Sequence, residues 1–94
     1  MASDLRFDWD EANAGHIAAH DVSREEVEQV FDHDERDLEY DVVNGEERWT
    51  VIGETDADRV LIVVFTMRID RVRVVTAFDA SSRMRAAYRS TKGR

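Results

Sequence analysis

Arginine, histidine and tyrosine carry the chemistry open to this sequence. Arg71 and Arg73 alternate with apolar residues in a run that reads as a strand, so both project from one face. Arg85 and Arg89 are four residues apart with Tyr88 between them, which on a helix stacks two guanidinium groups one turn apart beside an aromatic ring. Arginine presents a planar fork of donors that fits phosphate, and tyrosine either stacks on a base or lends its hydroxyl. That set suits single-stranded RNA better than duplex DNA. In the competing reading these arginines pair with acidic side chains and merely solvate the surface, and spacing alone does not decide between the two.

His16 and His20 stand four apart, the spacing of a metal-binding pair on a helix, but no Glu follows His16 to complete H-E-x-x-H. Two imidazoles need at least a third ligand, and although His33 or a carboxylate is available in principle, nothing in the sequence fixes one nearby. The pair reads better as helix-surface or helix-end residues, so no metal is expected. The four glycines are isolated at positions 15, 45, 53 and 93, which leaves no phosphate-binding loop, dinucleotide fingerprint or nucleophile elbow. No cofactor is expected either. Trp9, Trp49 and Phe65 fall on apolar-periodic positions and read as core.

The elements that must position these groups are legible from capping and periodicity. Phe7 and Trp9 alternate with polar neighbours as a short opening strand, and Asp10 caps a helix running to about His20. Ser23 and Glu26 form a capping box ahead of a second helix with Val27, Val30 and Phe31 on one face. From about Asp37 the period becomes two, through Leu38, Tyr40 and Val42, until Asn44-Gly45 marks a tight hairpin that returns through Trp49 to Ile52. Val60 to Met67 is apolar on both faces, as in a central strand. A turn near Ile69-Asp70 leads into a strand from Arg71 to Ala77, with Val72 and Val74 facing one way and Arg71, Arg73 and Val75 the other. Ser81 or Ser82 starts a last helix on which Met84, Ala87 and Tyr88 share a face. The expected fold class is α+β: N-terminal helices, an antiparallel β-meander and a C-terminal helix.

Charge is divided along the chain. Residues 1–58 hold nineteen of the 21 acids against Arg6, Arg24, Arg36 and Arg48, whereas residues 59–94 hold nine basic groups against Asp70 and Asp79. A net charge of −8 therefore conceals a basic end where a polyanion can bind. With one Lys, Lys92, among thirteen basic residues, the composition resembles that of salt-loving organisms, and the even scatter of acids favours a solvating role over an acidic partner-binding face. Ninety-four residues make one domain over 1–94, with a polar, flexible tail at 90–94. There is no Cys to form a disulfide, and the longest apolar run, Val60 to Phe65, is too short to span a bilayer. A soluble, cytoplasmic protein with no membrane partner is expected.

Two segments, FDWDEANAGHIAAHDVSREEVEQVF from Phe7 to Phe31 and RWTVIGETDADRVLIVVFTMRIDRVRVVTAFDASSRMRAAY from Arg48 to Tyr88, resemble the BrnT-type toxin family. The most specific matches are Phe7-x-Trp9-Asp10, Asn13, His16, His20 and Val22, then Arg48, Gly53, Arg59, Thr66, Arg71, Arg73, Thr76-Ala77 and Tyr88. The resemblance implies a RelE-like fold and a small ribonuclease of a toxin–antitoxin pair, cutting RNA without a metal and neutralised by a ribbon-helix-helix antitoxin over its basic face. On that reading Arg73 and Arg85 hold phosphate and His20 or Tyr88 moves protons; Arg71, Phe78, Arg83 and Arg89 are further candidates for binding the RNA, and because a purely ionic site would fail in high salt, stacking on bases by Tyr88, aided by Phe78, is expected as well. The chain departs from the family's pattern at Ala19, where Lys is usual, at Asp21 for Gly, at Phe78 for Arg and at Met84 for Glu. Ala19, Phe78 and Met84 allow a second reading, a catalytically weakened binding module that keeps the antitoxin- or nucleic-acid-binding surface.

Overall fold

A computed structural model describes residues 5–92 of the chain. The first two helices begin where the capping signals place them. Asp10 accepts from the Asn13 backbone N–H at 3.0 Å while the Asn13 side chain accepts from the Asp10 N–H at 2.8 Å, and α1 follows over Glu11–Ala18. Ser23 and Glu26 make the same reciprocal pair ahead of α2, Arg24–Asp32. α1 stops short of His20 because the chain turns at Asp21 (φ 61°), whose N–H bonds the Ala18 carbonyl while that of Val22 reaches back to Ile17. The turn drives Val22 into the core.

The strands are β1 (Arg6–Phe7), β2 (Arg36–Val43), β3 (Glu46–Glu54), β4 (Val60–Arg68) and β5 (Arg71–Asp79), and α3 (Ser82–Lys92) closes the described chain. Asn44 (φ 52°) and Gly45 (φ 80°) make the expected β2–β3 turn, both in the left-handed region that a tight hairpin demands. Ser81 caps α3, accepting from the Met84 N–H at 3.2 Å. Ser90 to Lys92, assigned from sequence to a polar tail, continue this helix, and residues 93–94 lie outside the described residues.

The sheet has the order β1-β5-β4-β3-β2. β2 to β5 form the expected antiparallel meander, but the whole sheet is mixed, because β1 pairs with β5 in parallel through Arg6↔Arg71 and Phe7↔Val72. The chain passes through α1 and α2 after β1 and re-enters the sheet at the opposite edge as β2, so β1 lies beside the last strand of the meander. A bulge supplies a second correction. Val64 faces Thr76 while Phe65 faces Val74, leaving Val75 as an extra residue in β5. The alternation expected from Arg71 onward therefore holds as far as Val74 and then shifts, so that Ala77 is buried on the same side as Val72 and Val74.

Two cores flank the sheet. Ile17, Val22, Val27 and Val30 from the α1–α2 side meet Val51, Leu61, Val63, Val72, Val74 and Ala77. On the other face Tyr88 and Ala80 cover Ile52, Val60 and Ile62. β4 is buried on both faces from Val60 to Val63, each such side chain contributing about 1.5–3 kcal/mol. Gly53 lets α2 approach β3, since a Cβ there would lie 2.7 Å from Val30 Cγ1.

Candidate nucleic-acid interface

Alternation along the strands decides what the α3 side of the sheet displays. α3 covers one end of that face, at Ile52, Val60 and Ile62, and the remainder carries Arg48, Thr66, Arg68, Arg71 and Arg73. Thr66 stands opposite Arg73 and Arg68 opposite Arg71, so the β4–β5 register gathers these groups. With Asn13 and His16 of α1, Arg48, Thr66, Arg68 and Arg73 line a cavity of about 310 Å³. Buried Asn13 fastens α1 to the sheet by donating to the Val74 and Asp8 carbonyls at 3.2 and 2.9 Å, which sets His16 one turn farther on beside the arginines.

Each arginine of the cavity is held by a carboxylate. Arg73, only 19% exposed, donates from Nη2 to Asp10 Oδ2 at 3.0 Å and places Nη1 3.5 Å from Asp8 Oδ2. Arg48 Nε and Arg68 Nη2 share Glu46, at 3.3 and 3.4 Å. The Asp10 carboxyl is kept below its ordinary range by the Asn13 backbone N–H and, against a burial penalty, by Arg73. A guanidinium has five donors, so these pairs orient the arginines and leave donors unused. The Arg71 side chain is exposed and makes no hydrogen bond or ion pair with a described residue.

At the α3 end the open face turns apolar. Thr50, Ile62, Val64, Phe78, Met84 and Glu39 line a cavity of about 700 Å³, and the His20 ring meets Phe78 edge-on with centroids 6.1 Å apart. Arg85 bonds locally, to the Ala80 carbonyl at 3.5 Å and Ser82 Oγ at 3.4 Å, and Arg89 donates to the Asp58 carbonyl. Arg83 is exposed and pairs with no described residue.

The structure does not gather His20, Arg73, Arg85 and Tyr88 at one point. Six residues, the Val75 bulge among them, lie between Arg73 and Ala80, where the Arg85 guanidinium ends, a span of at most roughly 23 Å at the strand rise. One phosphate cannot bridge both. Tyr88 is 4% exposed, its hydroxyl donates to the Asp34 carbonyl at 3.1 Å and the Arg36 guanidinium lies 5.6 Å above its ring. Burial, then the nearby Asp34 charge, pushes its pKa up. With α3 docked the ring offers no face to a base, which corrects the expectation that it stacks. His16, Arg48, Thr66 and Arg68, by contrast, share the cavity with Arg73, although sequence reasoning gave none of them a part in binding RNA. Their signal was available: the Asn44-Gly45 hairpin fixes which β3 residues share a face, and His16 lies one helical turn after Asn13.

The His16 and His20 rings touch edge-on at 5.6 Å, and among the described residues no three His, Asp or Glu side chains are grouped as metal ligands. No helix among them is long and apolar enough to cross a membrane. Residues 9–83 match the model of a family described as "Ribonuclease toxin, BrnT, of type II toxin-antitoxin system". No curated protein matches the chain.

Proposed function

Since the chain belongs to the BrnT family of type II toxin–antitoxin ribonuclease toxins, we propose that it cuts single-stranded RNA on its open sheet face without a metal. The observation that carries this reading is the meeting of Arg48, Arg68 and Arg73 from three adjacent strands with His16 from α1 around one cavity. Arg48 and Arg73 hold the scissile phosphate, and Arg68 and Arg71 hold its neighbours. The RNA 2′-hydroxyl loses its proton to His16 and attacks phosphorus. The new 2′-O–P bond forms as the P–O5′ bond breaks, and the departing 5′-oxygen takes up a proton, leaving a 2′,3′-cyclic phosphate and a 5′-hydroxyl. A donor aimed at the developing charge contributes roughly 10²–10³ in rate and a positioned proton carrier roughly 10²–10⁴. His20, Phe78 and Arg85 lie farther along the face, where they contact the strand beyond the cut.

A ribbon-helix-helix antitoxin covers the same face and blocks it. The single domain works in the cytoplasm, and its acidic, lysine-poor surface suits a salt-rich one. A specific observation favours a second reading, a binding module with weakened cleavage: Asp8, Asp10 and Glu46 already occupy the cavity's arginines. The test is cleavage and binding of labelled single-stranded RNA in the presence of a chelator. The wild type should cut, and Arg48→Ala with Arg73→Ala should lower the rate by at least about 10² and weaken binding. A folded double variant that cuts like the wild type removes this site. Cleavage that requires a divalent ion removes the metal-free mechanism, and binding without cleavage selects the second reading.

A further inference from the structure

We infer that the larger cavity on the open face is a guanine subsite in which the Glu39 carboxylate reads the Watson–Crick edge of the base. The inference rests on the proposed RNA-binding role of this face. The cavity's floor is Ile62 and Val64, and its walls are Phe78 and Met84, each 37% exposed, which together offer a ring, a thioether and a flat aliphatic surface to a planar ligand. About 700 Å³ accommodates a base and its ribose. Stacking on apolar and aromatic groups holds any base, so the walls supply affinity without choice.

Choice comes from the rim, where Glu39 and Thr50 are cross-strand partners. The Glu39 side chain makes no hydrogen bond or ion pair with a described residue, unlike Glu46, which is shared by Arg48 and Arg68. A free carboxylate on a surface that binds phosphates repels the ligand unless it accepts hydrogen bonds from it. Guanine alone among the four bases presents two adjacent donors, N1–H and the N2 amino group, which match the two carboxylate oxygens. Adenine and cytosine set an acceptor nitrogen beside their amino group, and uracil sets its one N–H between two carbonyls, so the carboxylate meets a lone pair in each case. The Thr50 hydroxyl supplies a donor for guanine O6.

The test measures binding, by fluorescence anisotropy, of short oligouridylates carrying a single guanosine, adenosine or cytidine, and maps where each is cut. The wild type should prefer the guanosine oligomer by roughly 5- to 150-fold, the discrimination of one good bidentate pair. Glu39→Gln replaces one acceptor with a donor and so complements adenine. This variant should lose the guanosine preference and gain on the adenosine oligomer, a change of choice that a merely structural residue would not produce. Equal binding of all three by the wild type, or an unchanged guanosine preference in E39Q, overturns the subsite and leaves RNA cleavage standing. Failure to bind any oligomer overturns the RNA-cutting reading, and the subsite with it.

Discussion

Arg59→Met removes one charge that ties three elements together, and its cost can be worked from the contacts. Arg59 precedes β4. Its Nε and Nη2 donate to the two oxygens of Asp79 at 2.8 and 3.1 Å, at the end of β5. Its Nη1 donates to both Glu26 oxygens at 3.0 and 3.1 Å and to the Asp21 carbonyl at 2.6 Å, joining the start of α2 to the turn after α1. The Asp79 side chain is 59% exposed, so that half of the clamp falls in the range of surface pairs, about 0.2–1 kcal/mol. Glu26 and Arg59 are 28% and 25% exposed, and charged hydrogen bonds in such partly buried positions contribute about 1.5–3 kcal/mol. Methionine keeps the aliphatic stem, so the loss is chiefly that of the charge. A total of about 2–4 kcal/mol corresponds to a melting temperature lower by roughly 8 °C or more in a domain of this size.

The pH dependence gives the sharper test. Arg59 holds the Asp79 carboxyl below its ordinary range, opposed by partial burial. Burial pushes Glu26 up, but the Ser23 backbone N–H and Arg59 together bring it below its usual value. Groups whose folded pKa is depressed stabilise the fold fully above their unfolded pKa of about 4 and lose that contribution as pH falls through the folded value. The stability gap between wild type and R59M should therefore be widest near pH 7 and close toward pH 3. Urea unfolding followed by circular dichroism at the two pH values measures it. A gap of equal size at both, or none at pH 7, refutes the clamp.

Two further outcomes are expected. Asp21→Gly should stabilise the protein by about 0.5 kcal/mol, because relief of a left-handed side chain slightly outweighs the extra freedom of glycine in the unfolded chain; thermal melts decide the sign. With a net charge of −8, the melting temperature should climb between dilute and molar potassium chloride as the Debye length falls from ~10 to ~3 Å, and a flat or falling curve would assign the acids to a partner instead.

The parts of this fold governed by local rules were legible in the sequence. Asp10, Ser23 with Glu26, Asn44-Gly45 and the doubly apolar Val60 run each act through neighbours within a few residues, and each sits where its signal puts it. What depends on distant partners was not. β1 has two residues, and nothing in Arg6–Phe7 says that its partner is β5. The Val75 bulge exists only in the pairing of β5 with β4, so period-two counting along β5 passes through it unaware. For the site, alternation placed Arg71 and Arg73 on one face but supplied no distance to Arg85. The rise of a strand does: the length of β5 past Arg73 exceeds the combined reach of the two side chains. Tyr88 occupied the correct helix face, yet its phase cannot show that this face is pressed onto Ile52, Val60 and Ile62.

The departures from the family's pattern become coherent once placed in space. Asp21 stands where the backbone is left-handed, a conformation that favours glycine, and aspartate is among the few side chains that tolerate it. Phe78 and Met84, two of the positions at which the sequence departs from the pattern it otherwise resembles, line the same cavity and make one end of it apolar. His20 packs its ring against Phe78 at this end, whereas Asn13, His16, Arg48, Thr66 and Arg73 surround the other cavity. Phe78 and Met84 thus lie along the sheet from the arginine cluster, and they present apolar surface there rather than charge. On the proposed reading, base choice and backbone cleavage fall to neighbouring cavities of one sheet face, so a change in the first need not disturb the second.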